Sequence, residues 1–400
     1  MTTHLPHIGD DFYAEHPRLS DILRAARNDR TSPDAVLLAV LARVATLIPV
    51  DATVNGQPVN LIAALVGSSG SGKSSSHRTA RRLIPDVGTD RDGIGVGSGE
   101  GIAQAFLTRE KNENVQVRDA VLFWCDEGET LLKVGRREGS TTLATLRSAW
   151  DGDTLGQSNA NADTTRIVRH GRYRFVMTIG LQPPFAAELL ADQTAGTPQR
   201  FLWAASGDPN ADHARPTWPN DLQVSKGEPC PFNVDAEVSR IVNDRRVTAL
   251  RNGGHDDPEE AHATQNQLRI AAILAHLLDD GGRHVTPQVW NIAGMIVENS
   301  RNVRRELARQ HQQTTLIDAV DKVATRLAVV NDARDVIHDR NVERIGHVIV
   351  NYLTRNGTSP RNDVVKAVAG RDRKLFDDAL SRLIARRVVV MEGKTVSLVS

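Results

Sequence analysis

The run Leu61-Ile-Ala-Ala-Leu-Val66, which breaks into Gly67-Ser68-Ser69-Gly70-Ser71-Gly72-Lys73-Ser74-Ser75, leaves a chain few ways to fold. An uninterrupted apolar run suits a strand buried on both faces, as in a parallel sheet. Glycines 67, 70 and 72 open φ values closed to other residues, so successive N–H groups can turn inward and cradle an anion. A helix starting at Lys73 would aim its N-terminal dipole at the same point. The spacing is GxxxxGKS, the phosphate loop of a nucleoside-triphosphate site. Residues Gly67 to Ser75 are then the nucleotide cradle, Lys73 reaches the β- and γ-phosphates, and Ser74 offers its hydroxyl to Mg²⁺. A Gly/Ser linker could match the spacing by accident, but the second motif argues against it.

That motif is Ala120-Val-Leu-Phe-Trp-Cys125-Asp126-Glu127, a second apolar run ending in adjacent carboxylates. Asp126 is placed to hold the Mg²⁺ shell. Glu127 is placed to polarise an attacking water as general base. Alone, the segment also reads as a strand followed by a solvated acidic turn. With the phosphate loop before it, ATP hydrolysis is the expected chemistry.

The whole chain sets outer bounds. Four hundred residues suggest two or three domains, and 40% apolar with 24% charged residues is ordinary for a soluble protein. No apolar run approaches a bilayer span and the first residues lack a signal-peptide pattern, so a cytoplasmic location without membrane contact is expected. Two cysteines, Cys125 and Cys230, fit a reducing compartment, and no His/Cys cluster has zinc spacing. A formal net charge of zero excludes a uniformly basic coat, so any nucleic-acid surface must be local.

The expected fold class is α/β: a P-loop NTPase core with a mostly parallel central sheet, flanking helical segments and a C-terminal winged helix-turn-helix. The boundaries read as an N-terminal helical segment 1–55, the ATPase core 56–235, a helical domain 236–335 and a winged-helix domain 336–400. Helices are expected near 18–50, with Ser32-Pro33 opening the second, and the glycine-rich 93–101 reads as a strand and tight turn before a short helix from Ile102. A polar loop, Gly156 to Thr165, precedes two strands, 166–170 and 173–179, joined by a turn at Gly171. The second ends at Gly180-Leu-Gln182. There a polar side chain either senses the γ-phosphate or merely ends a strand. Arg200, before the apolar Phe201-Leu-Trp203, is either a solvated strand end or an arginine that stabilises γ-phosphate charge, within the subunit or across an interface. Helices follow at about 235–250, 261–279, 287–311 and 315–332.

From Asn341 onward three helical patterns, 342–355, 359–370 and 371–387, precede a hairpin formed by 388–391 and 395–398. Together they read as a winged helix. This segment carries 11 Lys and Arg against 6 Asp and Glu. Arg371, Arg373, Lys374, Arg382 and Lys394 are its candidate phosphate contacts. Asp377 and Asp378, on the expected recognition helix, would repel a DNA backbone, and a protein-docking role stays open. Arg166, Arg169 and Arg172 on the polar hairpin are candidates to face DNA in a central channel, with a merely solvated hairpin as the alternative.

These elements resemble a family of helicase-like P-loop ATPases, a domain of unknown function encoded with primase-polymerases on phages, plasmids and integrated mobile elements. The resemblance rests on Ser32-Pro33, Asn60 to Ser74, Gly97-Ser-Gly-Glu-Gly101, Trp124-Cys-Asp-Glu-Gly128, Gln182-Pro183 and Gln199-Arg200-Phe-Leu, across about residues 15 to 310. It implies catalytic roles for Lys73, Glu127, Gln182 and Arg200, and Mg²⁺ on Ser74 and Asp126. It also implies a homo-oligomer, as a hexameric ring, acting on single-stranded or duplex DNA beside a primase or other replication protein. Many relatives carry an N-terminal priming module, and this chain starts some sixty residues before its phosphate loop, so priming is not expected. The leading expectation is a DNA motor. A DNA-bound ATPase switch (loader, regulator or partition-type factor) is the alternative, and a small-molecule kinase a distant third.

Overall fold

The computed structural model describes residues 4–110, 113–157, 165–191, 196–254 and 262–399. The expected polar loop falls, for residues 158–164, outside this set. The chain divides into two compact units, Met1–Gln312 and Gln313–Ser400.

The first unit is built on five parallel strands: β1 (Leu61–Val66), β2 (Asp92–Ile94), β3 (Ala120–Cys125), β4 (Arg174–Leu181) and β5 (Phe201–Ala205). Their order across the sheet is β2-β3-β4-β1-β5, and every pairing is parallel. Side chains alternate between the faces of a strand, and β1 divides accordingly. Leu61, Ala63 and Leu65 join one core with the helices Pro33–Leu47, Lys73–Leu83 and Ala263–Leu278. Ile62, Ala64 and Val66 join the other, with Thr142–Asp151, Pro183–Leu190 and part of Gly99–Gln104.

The helix Pro33–Leu47 has no exposed side, because all fifteen of its residues are buried. Ser32 caps it by accepting from Ala35 N and donates its hydroxyl to the Ala205 carbonyl at 2.7 Å. The N-terminal helices are thus a layer of the sheet domain. The strand Arg166–Val168 pairs antiparallel with Leu155–Gln157, whereas β4 enters the central sheet. Gly171 therefore leads from a small hairpin into the core and does not join two strands of one ribbon. The short helix of the glycine-rich stretch starts at Gly99, because Ser98 caps it there.

Pro287–Asn356 is one continuous helix where three were expected. No proline interrupts residues 288–356, so the changes in pattern near 312 and 333 mark changes of environment and not breaks. Its C-terminal part enters the second unit. There Val342, Ile345, Ile349 and Leu353 pack on Val364, Phe376, Leu380, Val389 and Val396. The helices Arg361–Ala367 and Phe376–Ala385 and an antiparallel sheet, with Thr395–Leu398 between Ser359–Pro360 and Val389–Glu392, complete that core. Among the described residues no helix is long and apolar enough to cross a membrane.

Helix C-termini reach the edge where the strands begin, and their last carbonyls need donors. Arg174, fully buried, donates to Ile48 O, Pro49 O (2.7 Å) and Ala52 O after the helix Pro33–Leu47. Arg269 donates to Trp150 O at 2.7 Å and lies 3.6 Å over the Trp150 ring. Arg43 donates to Ile84 O and Pro85 O after the helix Lys73–Leu83. Burial pulls Arg174 and Arg269 down to about 9, so both remain charged at neutral pH. Arg174→Ala strands buried carbonyls and is expected to cost about 3 kcal/mol, read as a lower urea midpoint of the first unit. An unchanged midpoint would show that the contacts carry no net stability.

Candidate functional site

Both sequence motifs end at the same edge of the sheet. Parallel β1, β3 and β4 present their C-terminal ends together, and the loops that follow converge there. Gly70 (φ +78°) and Gly72 (φ +92°) adopt the left-handed conformation that the loop needs. Gly72 precedes the helix Lys73–Leu83, and no side chain caps it. The first-turn N–H groups, which lack intrahelical acceptors, therefore face the loop. Gly67 answers a different demand, since a Cβ there would overlap the hydroxyls of Ser71 and Ser206.

Lys73 Nζ donates to the carbonyls of Gly67 (2.7 Å) and Ser68 (2.8 Å), folded back over its own loop. Desolvation lowers its pKa, partly offset by Asp126 and Glu129. Ser74 Oγ donates to Asp126 Oδ1 at 2.5 Å, so the hydroxyl and carboxylate named for Mg²⁺ meet in space. Among the described residues no group of three or more His, Cys, Asp or Glu could hold a metal. A hydroxyl plus one carboxylate instead suits a small divalent ion that takes its remaining ligands from water and phosphate.

A cavity of about 220 Å³ is bounded by Ser69, Gly70, Lys73, Ser74, Asp126, Glu127, Gly128, Glu129, Gly180 and Gln182. Gln182 reaches it because β4 lies between β1 and β3, which sets the tip of β4 between the phosphate loop and the acidic pair. Asp126 and Glu127 are exposed at its mouth. Together with Ser69, Gly70, Lys73, Ser74 and Gln182 they place seven of the expected site residues around one small space.

Arg200 is not among them. It precedes β5 at the edge where strands begin, with Phe201 level with Ile62, opposite to the phosphate loop. Its guanidinium pairs with Asp151 Oδ2 at 3.0 Å and donates to Gly196 O at 2.9 Å, with the side chain 13% exposed. A role on the γ-phosphate of its own subunit is excluded by this position. A role across an interface would require it to abandon Asp151. Arg166 donates to Gln104 Oε1 at 2.6 Å and Arg172 lies 3.7 Å from Asp51, while Arg169 is exposed.

In the second unit Arg371, Lys374 and Lys394 are exposed, Arg382 pairs with Asp339, and Arg373 Nε donates to Val368 O. Asp377 pairs with Arg361, and Asp378 lies 3.6 Å from the imidazole of His338.

Four residues support the site in ways that the sequence reading does not assign. Ser206, after β5, shares a 2.6 Å hydrogen bond with Ser71 and donates to Val66 O, holding the loop from behind. Gly128 and Gly180 are forced by crowding, since a Cβ on Gly180 would stand 2.7 Å from Asp126 O and one on Gly128 would meet Ile179 and Leu181. His77 stacks on Trp124 at 4.4 Å, tying the phosphate-loop helix to β3. The glycines could have been suspected from their place after apolar runs, but Ser206 had no sequence signal.

No protein-family model and no curated protein matches this chain.

Burial lowers the His77 pKa from 6.5 to about 4, with Arg43 adding to the effect. The unfolded chain thus takes up this proton before the folded one does. Stability from a neutral His77 is complete above about pH 6.5 and is lost as pH falls toward 4, by up to about 3 kcal/mol. Urea midpoints at pH 7 and pH 4.5 are expected to fall further for the wild type than for His77→Gln. Equal losses would remove His77 as the cause.

Proposed function

We propose that this chain binds and hydrolyses ATP with Mg²⁺ at the C-terminal edge of its sheet. The convergence of Lys73, Ser74, Asp126, Glu127 and Gln182 on one cavity carries this reading. The loop N–H groups and Lys73 bind phosphate oxygens, and Lys73 exchanges the carbonyls of Gly67 and Ser68 for them. Ser74 and Asp126 hold Mg²⁺, which supplies charge neutralisation at the phosphates. Glu127 accepts the proton of the attacking water, and the Gln182 amide orients that water or the γ-phosphate.

The wider function follows the resemblance: a helicase-like DNA motor in the replication of a phage or mobile element, working as a ring. The helices and three-stranded sheet of the second unit favour reading it as a winged helix. Arg371, Lys374 and Lys394 are its most available phosphate contacts. The Arg361 partner of Asp377 reduces the repulsion that its sequence position implied. The second reading, a DNA-bound ATPase switch, shares this site and differs only in lacking strand displacement.

ATP turnover measured with and without single-stranded and duplex DNA tests the assignment. Lys73→Ala is expected to abolish hydrolysis. Glu127→Gln is expected to lower it by about 10²–10⁴-fold while retaining nucleotide binding. Turnover that persists in Lys73→Ala rejects the site. Turnover indifferent to all DNA rejects the motor, and a chain ending before Asn341 reports whether residues 341–400 supply the stimulation.

A further inference from the structure

From Leu316 to Arg340 the long helix is exposed on every side, yet it is not polar on every side. Leu316, Val320, Val323, Leu327, Val330 and Ile337 are 46–66% exposed. Their spacing alternates four and three residues, with Arg334 filling the one remaining position. That is the a/d seam of a coiled coil, whose period of 3.5 keeps one stripe facing a partner helix. The aspartates at 318, 321, 332, 335 and 339 all fall on the opposite side. An exposed apolar stripe that runs for about six turns, broken only by Arg334 and backed by charge on the opposite face, marks an interaction surface.

We propose that residues 316–337 pair with the same segment of a second copy of this chain as an antiparallel two-helix coiled coil. The area reaches the lower end of what a specific interface needs: the six apolar side chains expose roughly 600 Å² per copy, so their full burial in a pair removes about 1,200 Å² from water. The charges set the direction. In a parallel pair Arg334 meets its own copy across the seam, and the flanking positions 317, 319, 324, 326, 331, 333, 338 and 340 carry no carboxylate to offset it. Run antiparallel, with Leu327 opposite Val330 of the second copy, Val320 faces Ile337 and Arg334 lays its methylene stem on Val323. Arg326 then lies beside Ala333, and no like charges meet. This pairing stands apart from the nucleotide site and holds whether or not ATP is the ligand there.

Sedimentation velocity of the full chain without nucleotide tests it, comparing wild type with Val320→Glu/Leu327→Glu. These side chains are exposed in the single chain, so the fold survives the change, as unaltered far-UV circular dichroism will confirm. The wild type is expected at twice the mass of the variant, in multiples of the 43.7 kDa chain. Equal masses for the two, as single chains or as larger assemblies, overturn the pairing. In a Cys230→Ser background, Val320→Cys/Ile337→Cys is expected to oxidise to a covalent dimer while Val320→Cys alone does not. Cross-linking by Val320→Cys alone overturns the antiparallel direction.

Discussion

A parallel sheet is a polar object, and its polarity organises the first unit. Every strand points the same way, so the helices that return the chain across its faces point the other way. Their N-termini gather at one edge of the sheet and their C-termini at the other. At the first edge lie unpaired N–H groups that suit an anion. At the second lie unpaired carbonyls, buried by the packing that holds the helices down. Arg43, Arg174 and Arg269 answer that second demand, each reaching the carbonyls of a helix end. Asn60, just before β1, adds to this, donating to Ala149 O and accepting from Phe175 N. The candidate site and the buried arginines are two consequences of one arrangement.

The same arrangement explains why the phosphate loop needs support from outside its own sequence. A loop of glycines and serines has little to hold its shape, because glycine loses much freedom on ordering. Ser206 fixes Ser71 from the end of β5, and the His77–Trp124 stack joins the following helix to β3. The crowding around Gly128 and Gly180 brings the backbone of β4 against that of the acidic loop, which carries Asp126 to Ser74. The site is therefore placed by the two strands beside β1 as much as by the motif itself.

Arg200 shows what a local pattern leaves open. An arginine before an apolar strand has the composition expected of a charge-stabilising residue, yet strand direction sends it to the carbonyl-rich edge, where it pairs with Asp151 at the end of the helix Thr142–Asp151. The segment 166–179 is divided by tertiary structure in the same way. Arg166–Val168 pairs with Leu155–Gln157, whereas β4 buries all eight of its residues between β1 and β3.

What the sequence determined by itself was whatever local chemistry dictates. The apolar runs before Gly67 and Asp126 required buried parallel strands, the glycine spacing required a loop, and Ser32-Pro33 required a helix start. The heptad-like spacing from Leu316 to Ile337 was also present in the sequence, but was read as ordinary helix patterning because nothing local reveals whether an apolar face has a partner. Only the tertiary structure decided the strand order, which puts Gln182 in the cavity and leaves Arg200 outside it. It also drew Ser206 to the loop and gave Asp377 its partner Arg361. Strand order and pairing are settled by contacts between residues far apart in the chain, and those contacts follow from burying the whole sheet at once.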